Sequence, residues 1–191
     1  MRLDNKNTKE YLNAFAKYVI QQSRSNLSKG GKNYEKKLYN SLDKQIEVGA
    51  NSFRLAFLME DYGKFVDKGV KGANPSKVSP NAKIRGQQAP NSPYRFGSGN
   101  FKGQWGDFKN KLEKWVKSKG LRFRDSKGKY RNGNAKSMAQ VVASNIYARG
   151  IKPSLFFTKP FEKAFERLPD ELIEAYGLDV EQFLEYTINK K

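Results

Sequence analysis

An amphipathic repeat near the start of the chain predicts a helix over residues 8–24. Its apolar positions recur at intervals of three and four residues, which places them on one face of a helix. Thr8 or Asn7 can cap this helix, and Glu10 lies in the first turn, where a negative charge is favourable. We expect the helix to end near Lys29-Gly30-Gly31 and to bury the face formed by Leu12, Phe15, Ala16, Val19 and Ser23.

Short alternating runs follow and predict three strands, over residues 37–42, 45–49 and 53–59. In the third run Phe53, Leu55 and Phe57 alternate with smaller or polar residues, which is typical of a strand buried on one face. Connections as short as these favour antiparallel neighbours. A short helix is then predicted over residues 62–68 and ends at Gly69.

The middle of the chain combines a loop-rich segment with helical patterns. Residues 69–104 are rich in Gly, Pro, Asn and Ser and show no periodicity, so we expect an extended basic loop that becomes ordered only against a partner. Two helices are predicted on either side of a basic turn or hairpin whose tip is Ser126-Lys127-Gly128. The first covers residues 107–119 and buries Phe108, Leu112, Trp115 and Val116; the second covers residues 135–149 and buries Met138, Val141, Val142, Asn145 and Ile146.

The end of the chain reads as an extended arm followed by helices. The arm covers residues 151–158, and Pro160 suits the first position of a helix. Gly177 interrupts the pattern that follows. We therefore expect three short helices, over residues 160–168, 169–176 and 179–188.

The amino-acid composition excludes several kinds of catalytic and structural chemistry. The 191 residues include no cysteine and no histidine, which excludes disulfides, thiolate nucleophiles and His-dependent catalytic triads. Glu35 and Lys37 match the Glu-x-Lys half of the pattern of metal-dependent nucleases, but no well-placed upstream Asp on a strand completes it. We therefore expect no enzymatic activity, no cofactor and no metal site.

Charge is distributed unevenly along the chain. The formal net charge is +18, and residues 62–136 hold 19 Lys and Arg against 4 Asp and Glu. Residues 151–191, in contrast, hold 6 basic and 8 acidic side chains. A concentration of positive charge of this size is favoured beside a polyanion or an acidic protein surface.

The basic segment interleaves cations with aromatic residues. Arginine and lysine neutralise phosphates, and aromatic rings stack on exposed bases, so contact with a nucleic-acid backbone is one interpretation. Contact with acidic faces of neighbouring subunits is an equally weighted alternative. The candidate residues are Lys83, Arg85, Arg95, Arg122, Arg124, Lys127, Lys129 and Arg131, with Tyr94, Phe96, Phe123 and Tyr130 between them.

Membrane insertion is not expected. The longest stretch without a charged residue is 137–148, which has 12 residues, whereas a membrane-spanning helix needs about 20. The first eleven residues contain no apolar signal core. These patterns predict a protein that is made in a cytoplasm and stays there or is packed into an assembly.

Two segments carry a family resemblance. Residues 61–69 read Asp-Tyr-Gly-Lys-Phe-Val-Asp-Lys-Gly, and residues 148–161 read Ala-Arg-Gly-Ile-Lys-Pro-Ser-Leu-Phe-Phe-Thr-Lys-Pro-Phe, followed by Ala164 and Phe165. Together they resemble the tail-completion, or neck, proteins of tailed bacteriophages. That family has a Tyr-x-x-Phe/Tyr-Val-Asp/Glu-x-Gly element after a strand, and later a Pro-x-Phe element followed by Pro-Phe/Ala before its last helix.

The resemblance implies a fold and an organisation. It implies an α+β protein in which an N-terminal helix packs on a small antiparallel sheet, with a helical basic insertion and C-terminal helices. On this basis we expect a single domain with four segments. These are a helix-plus-sheet core (1–68), an extended basic loop (69–104), a helical basic insertion (105–150), and an arm with C-terminal helices (151–191).

The resemblance also implies a role in the virion. Six or twelve copies would form a ring in the neck, between the portal-side connector or adaptor and the tail, around the path of the double-stranded DNA. Such a ring performs no covalent chemistry. The family-motif positions expected at subunit or partner interfaces are Tyr62, Gly63, Phe65, Val66, Asp67, Gly69, Gly150, Pro153, Phe156, Phe157, Pro160 and Phe161.

Overall fold

The computed structural model describes residues 5–31, 35–49, 52–77, 85–98, 105–125, 127–131 and 133–189. It is an α+β structure, as expected, with long helices and small antiparallel pairs of strands. The chain forms two compact units. The first combines Met1–Gly63 with Leu155–Lys191, and the second is Lys64–Ser154. The divisions expected at residues 68 and 150 therefore fall inside the second unit.

The first unit is built around the N-terminal helix α1, Lys6–Lys29. Its buried side includes every residue expected there, from Leu12 to Ser23, and continues to Leu27. Strands β1 (Asp43–Val48) and β2 (Phe53–Leu58) pair antiparallel beside it, with Val48 opposite Phe53. The ring of Phe57 lies 6.4 Å from that of Phe15, which confirms that α1 packs on an antiparallel sheet.

One predicted strand is wrong. Lys37–Ser41, expected to be extended, forms the short helix α2. Its Tyr39 carbonyl and the following Leu42 carbonyl accept hydrogen bonds from the Arg24 guanidinium, at 3.1 and 2.9 Å. Leu38 is buried from the same helix. Because a side chain of α1 satisfies these carbonyls, the segment does not need a strand partner.

The C-terminal prediction is also corrected. Two helices follow the arm, α6 (Thr158–Phe165) and α7 (Leu168–Asn189), and α7 runs through Gly177 without a break. A glycine inside a helix costs only about 1 kcal/mol relative to alanine. Ala175 and Asp179 are buried on either side of Gly177, so packing of α7 along α1 maintains the helix across it.

The second unit contains α3 (Gly63–Lys68, which begins at the division), β3 (Val70–Lys71), a 3-10 turn at Pro75–Lys77, α4 (Trp105–Ser118), α5 (Ala135–Arg149) and β4 (Gly150–Ile151). Helices α4 and α5 pack on each other, and Val116 and the small residues Ala139 and Ala143 are buried. Val141, expected on the buried face of α5, is exposed. Val141 lies about 160° around α5 from both buried alanines, so it is on the opposite side of the helix.

Much of the segment expected to be an unstructured loop is folded. Within its described parts, residues 69–77 and 85–98, the Lys71 N–H donates to the Tyr94 carbonyl at 2.8 Å and the Phe96 N–H donates to the Lys71 carbonyl at 2.9 Å. The Gln88 N–H donates to the Arg149 carbonyl at 2.9 Å. The chain itself supplies these partners, so no second molecule is needed to hold them.

Candidate assembly interface

The two segments that carry the resemblance meet in the second unit, although about eighty residues separate them. Directly after the first segment, Val70 pairs with Ile151 and Lys71 pairs with Gly150, in the antiparallel β3–β4 pair. The Ser154 N–H and Oγ both donate to the Val66 carbonyl, at 3.1 and 2.7 Å. We call these contacts the junction. They join the two ends of the chain segment that contains the basic insertion.

Glycines make the junction possible. Gly69 has a φ of +71°, and a Cβ at this position would lie 2.5 Å from the Ile151 carbonyl oxygen and 2.7 Å from the Pro153 nitrogen. Gly150 has a φ of +95°, and a Cβ there would collide with the Val70 carbonyl. Both positions therefore require glycine, for backbone conformation and for close approach.

The loop residues 85–98 support the junction from its other side. Ser92 is buried, and its hydroxyl donates to the Gly69 carbonyl at 2.7 Å. The ring of Tyr94 lies 4.7 Å from that of Phe65 in an edge-to-face contact. Tyr94 was expected to be available for stacking on bases, but it packs on Phe65 of α3 instead.

An aromatic cluster fills the first unit where the arm enters it. The ring of Phe57 lies 5.1 Å from that of Phe157 and 6.0 Å from that of Phe161, both edge-to-face. Phe15 contacts Phe161 at 6.1 Å. Phe156 is fully buried, and its carbonyl accepts a hydrogen bond from the Asn26 amide at 3.2 Å. These phenylalanines anchor the arm to α1 and β2.

The expected interface residues are therefore mostly internal. Tyr62 is 41% exposed, and partial burial of its hydroxyl raises the pKa of that group. Six are buried within the chain: Gly63, Asp67, Gly69, Gly150, Phe156 and Pro160. The half-buried ones are Phe65, Val66, Pro153, Phe157 and Phe161.

A basic hairpin between α4 and α5 presents the main cationic surface. The Arg131 N–H donates to the Phe123 carbonyl, and the Asp125 carboxylate accepts the N–H groups of Lys127 and Lys129, each at 2.9 Å. The bridge between Arg124 and Tyr130 pairs the two arms. This confirms the predicted turn and exposes five cations together: Arg122, Arg124, Lys127, Lys129 and Arg131.

Tyr130 organises two of these cations. Its ring is 62% exposed, and the guanidinium groups of Arg124 and Arg122 lie over it at 4.6 and 5.8 Å. Arg124 Nη2 also donates to the Tyr130 hydroxyl at 2.9 Å. Cation–π contact holds both guanidiniums at the surface while their outer N–H groups stay available to an anion.

The remaining basic candidates lie elsewhere. Arg95 forms a backbone bridge with Lys71, and its side chain is exposed. Arg85 is exposed, and its carbonyl accepts from the Gln88 amide at 3.2 Å. Lys83 lies outside the described residues. Among the basic candidates that the structure describes, the five on the hairpin are therefore the ones that lie together.

The described residues contain no cluster of three or more acidic, His or Cys side chains arranged to hold a metal ion. Across the same described ranges, no helix has both the length and the apolar character needed to cross a bilayer. An open cleft of about 630 Å³ lies beside α1, and Asp43 is the acidic residue on its wall.

Comparison with protein-family models, with curated proteins and with solved structures found no match.

Two features of the structure were not foreseen. The first turn of α1 is capped by Asp179 from α7, and not by its own side chains. The second is an apolar stripe on the outer side of α7. The spacing of Ile173, Val180, Leu184 and Ile188 signals it, but only if Gly177 is allowed inside a helix.

Proposed function

We propose that this chain is a structural protein of a tailed-bacteriophage virion, and that copies of it form a ring of six or twelve in the neck. The ring joins the portal-side connector to the tail and surrounds the DNA path. It acts by shape and by docking, and performs no covalent chemistry.

The junction is the observation that carries this proposal. The two segments on which the resemblance depends lie about eighty residues apart in the chain, yet Ser154 of the second binds Val66 of the first, and Val70, directly after the first segment, pairs with Ile151. Segments of one functional element are expected to meet, whereas chance matches have no reason to do so. The helix packed on an antiparallel sheet agrees with the same family.

A ring also suits the division of charge. Head-to-tail contacts in a closed ring use two different surfaces, which must complement each other. The second unit is strongly basic, whereas residues 168–189 contain six acidic side chains and no Lys or Arg. A chain with one face of each sign has the complementary surfaces that such a ring requires.

Particle analysis tests the proposal directly. Phage that encode this chain should carry it in purified virions at six or twelve copies, measured by quantitative mass spectrometry against the portal protein. Disruption of its gene should leave DNA-filled heads without attached tails in negative-stain images. Absence from purified particles, or tailed particles formed without it, would contradict the proposal.

The basic hairpin favours a second candidate function, sequence-independent binding to a nucleic-acid backbone. Five exposed cations on one turn, two of them held by Tyr130, match the chemistry of phosphate neutralisation. If all five contact phosphates of duplex DNA, the logarithm of the affinity should fall against the logarithm of salt concentration with a slope of roughly −4.5. Affinity that does not change with salt would exclude this function.

A further inference from the structure

The outer side of α7 carries an apolar stripe that no described part of the chain covers. Ile173, Leu184 and Ile188 are 71%, 52% and 70% exposed. With Gly177 and Val180 they follow one another at steps of three or four residues, so they share one side of the helix. Isoleucines this exposed, aligned on one face, are typical of a surface that is buried in an assembly.

This stripe is distinct from the side of α7 that stabilises the first unit. Ala175 and Asp179 are buried toward α1, and Tyr176 contacts Phe53 with ring centroids 5.6 Å apart. At about 100° per residue, Ile173 and Leu184 lie far around the helix from Asp179. The helix therefore has one face that packs within its own unit and a second, apolar face that no described residue covers.

Acidic residues border the stripe. Asp170, Glu174, Glu181 and Glu185 are exposed beside it, and α7 contains no Lys or Arg. Two α7 helices placed face to face would bring these carboxylates together, and like charges across an interface are strongly unfavourable. A symmetric pairing of two α7 helices is therefore disfavoured, and a basic occupant is favoured.

The chain itself contains a surface of the required chemistry. Residues 105–149 hold twelve Lys and Arg against three Asp and Glu. On the α4–α5 pair, Lys111 and Lys114 are exposed, and Val141 is an apolar side chain that is 45% exposed. This surface can meet both the carboxylates and the apolar stripe of α7.

We propose that the apolar stripe of α7 docks on the α4–α5 pair of the neighbouring copy. The contact uses a different surface on each copy, so it repeats head to tail, as the contacts between subunits of a ring do. It deepens the proposed function and rests on it, because it names the surfaces that join one ring subunit to the next.

Cysteine cross-linking tests the contact, since the natural chain has no cysteine. The double variant I173C/V141C should form a ladder of disulfide-linked multimers under mild oxidation, both in purified full-length protein and in particles. The matched control is L178C/V141C, because Leu178 is 46% exposed on the same helix, about 140° around it from Ile173. The control should remain monomeric on a non-reducing gel.

Charge exchange provides a second test that does not depend on disulfide geometry. E174K/E181K should weaken self-association by about tenfold or more, measured by analytical ultracentrifugation. Adding K111E/K114E to the same chain should restore it, because each interface then has opposite signs again. Thermal melting should be unchanged in every variant, since all four residues are exposed.

The outcomes separate this contact from the proposed function. A ring of six or twelve that gives no I173C/V141C ladder, or an equal ladder from the L178C control, overturns the contact and leaves the ring standing. Failure of the charge exchange to restore association also overturns it. If neither protein nor particles contain a ring, the proposed function fails, and the contact fails with it.

Discussion

The carboxylate of Asp179, near the end of the chain, accepts the backbone N–H of Thr8, at the start of α1, at 2.9 Å. It also accepts the Thr8 hydroxyl at 2.7 Å and the Asn7 N–H at 2.9 Å. The first turn of a helix leaves its N–H groups without partners and carries partial positive charge. The buried Asp179 carboxylate accepts these N–H groups, brings negative charge to the helix start and joins α7 to α1. Nearby, the Tyr11 hydroxyl donates to Glu171 at 2.5 Å.

Replacing Asp179 with asparagine should lower the free energy of unfolding at neutral pH by about 1–3 kcal/mol, because charged hydrogen bonds are lost from a buried site. Urea denaturation followed by circular dichroism measures this. The control E185Q removes an exposed charge from the same helix and should change stability by less than about 0.5 kcal/mol. Equal effects of the two changes would contradict the capping role.

The same carboxylate predicts a pH dependence. Burial by itself raises the pKa of Asp179, but the hydrogen bonds from Thr8 and Asn7 outweigh it and hold the pKa below its ordinary value. The stabilisation is therefore complete above the unfolded-state pKa of about 3.9 and is lost as pH falls through the lower folded pKa. Wild-type stability should drop more steeply below pH 4 than that of D179N. Parallel curves would contradict this assignment.

Gly69 offers a test of the junction with a matched control. G69A should cost about 3 kcal/mol or more, because the new methyl group meets the Ile151 carbonyl and the Pro153 nitrogen and the φ is positive. Gly86 has nearly the same φ, +73°, but nothing within 4 Å of an added Cβ, so G86A should cost only about 1 kcal/mol. Denaturant midpoints that shift equally would show that the close approach at Gly69 is unimportant.

The phenylalanines of the aromatic cluster should contribute unequally to the free energy of unfolding. F161A removes a ring that contacts Phe15, Phe57 and Phe157, and should lower the free energy of unfolding by about 2–4 kcal/mol. Phe165 stacks on Phe161 at 5.5 Å but is exposed, so F165A should cost about 1 kcal/mol. The same denaturation assay compares them, and a larger loss in F165A would contradict the packing described.

The hairpin can be tested by charge reversal. K127E/K129E/R131E should reduce affinity for duplex DNA of mixed sequence by more than tenfold and reduce the steepness of its salt dependence, measured by fluorescence anisotropy. The control K9E/K159E/K163E makes the same change in net charge at exposed positions of the first unit. An equal loss in both variants would indicate a general effect of net charge and not a binding role for the hairpin.

Local patterns alone determined a large part of this protein. The buried face of α1, the β1–β2 hairpin, the short helix before Gly69, the basic hairpin and helix α5 all follow from periodicity, turn residues and glycines. These signals act between residues close in sequence, so they survive without knowledge of the fold. The division between a basic middle and an acidic end is likewise visible in the sequence.

Other features were decided only by contacts between distant residues. The Arg24 guanidinium binds the Tyr39 and Leu42 carbonyls, where a strand was predicted and α2 forms instead. Packing along α1 keeps α7 helical through Gly177, and the Asp179 carboxylate caps α1. The junction joins Val66 to Ser154 across the whole basic insertion. Hydrogen bonds and packing over such separations depend on how the chain closes its loops, and tertiary packing overrides local propensity wherever the two disagree.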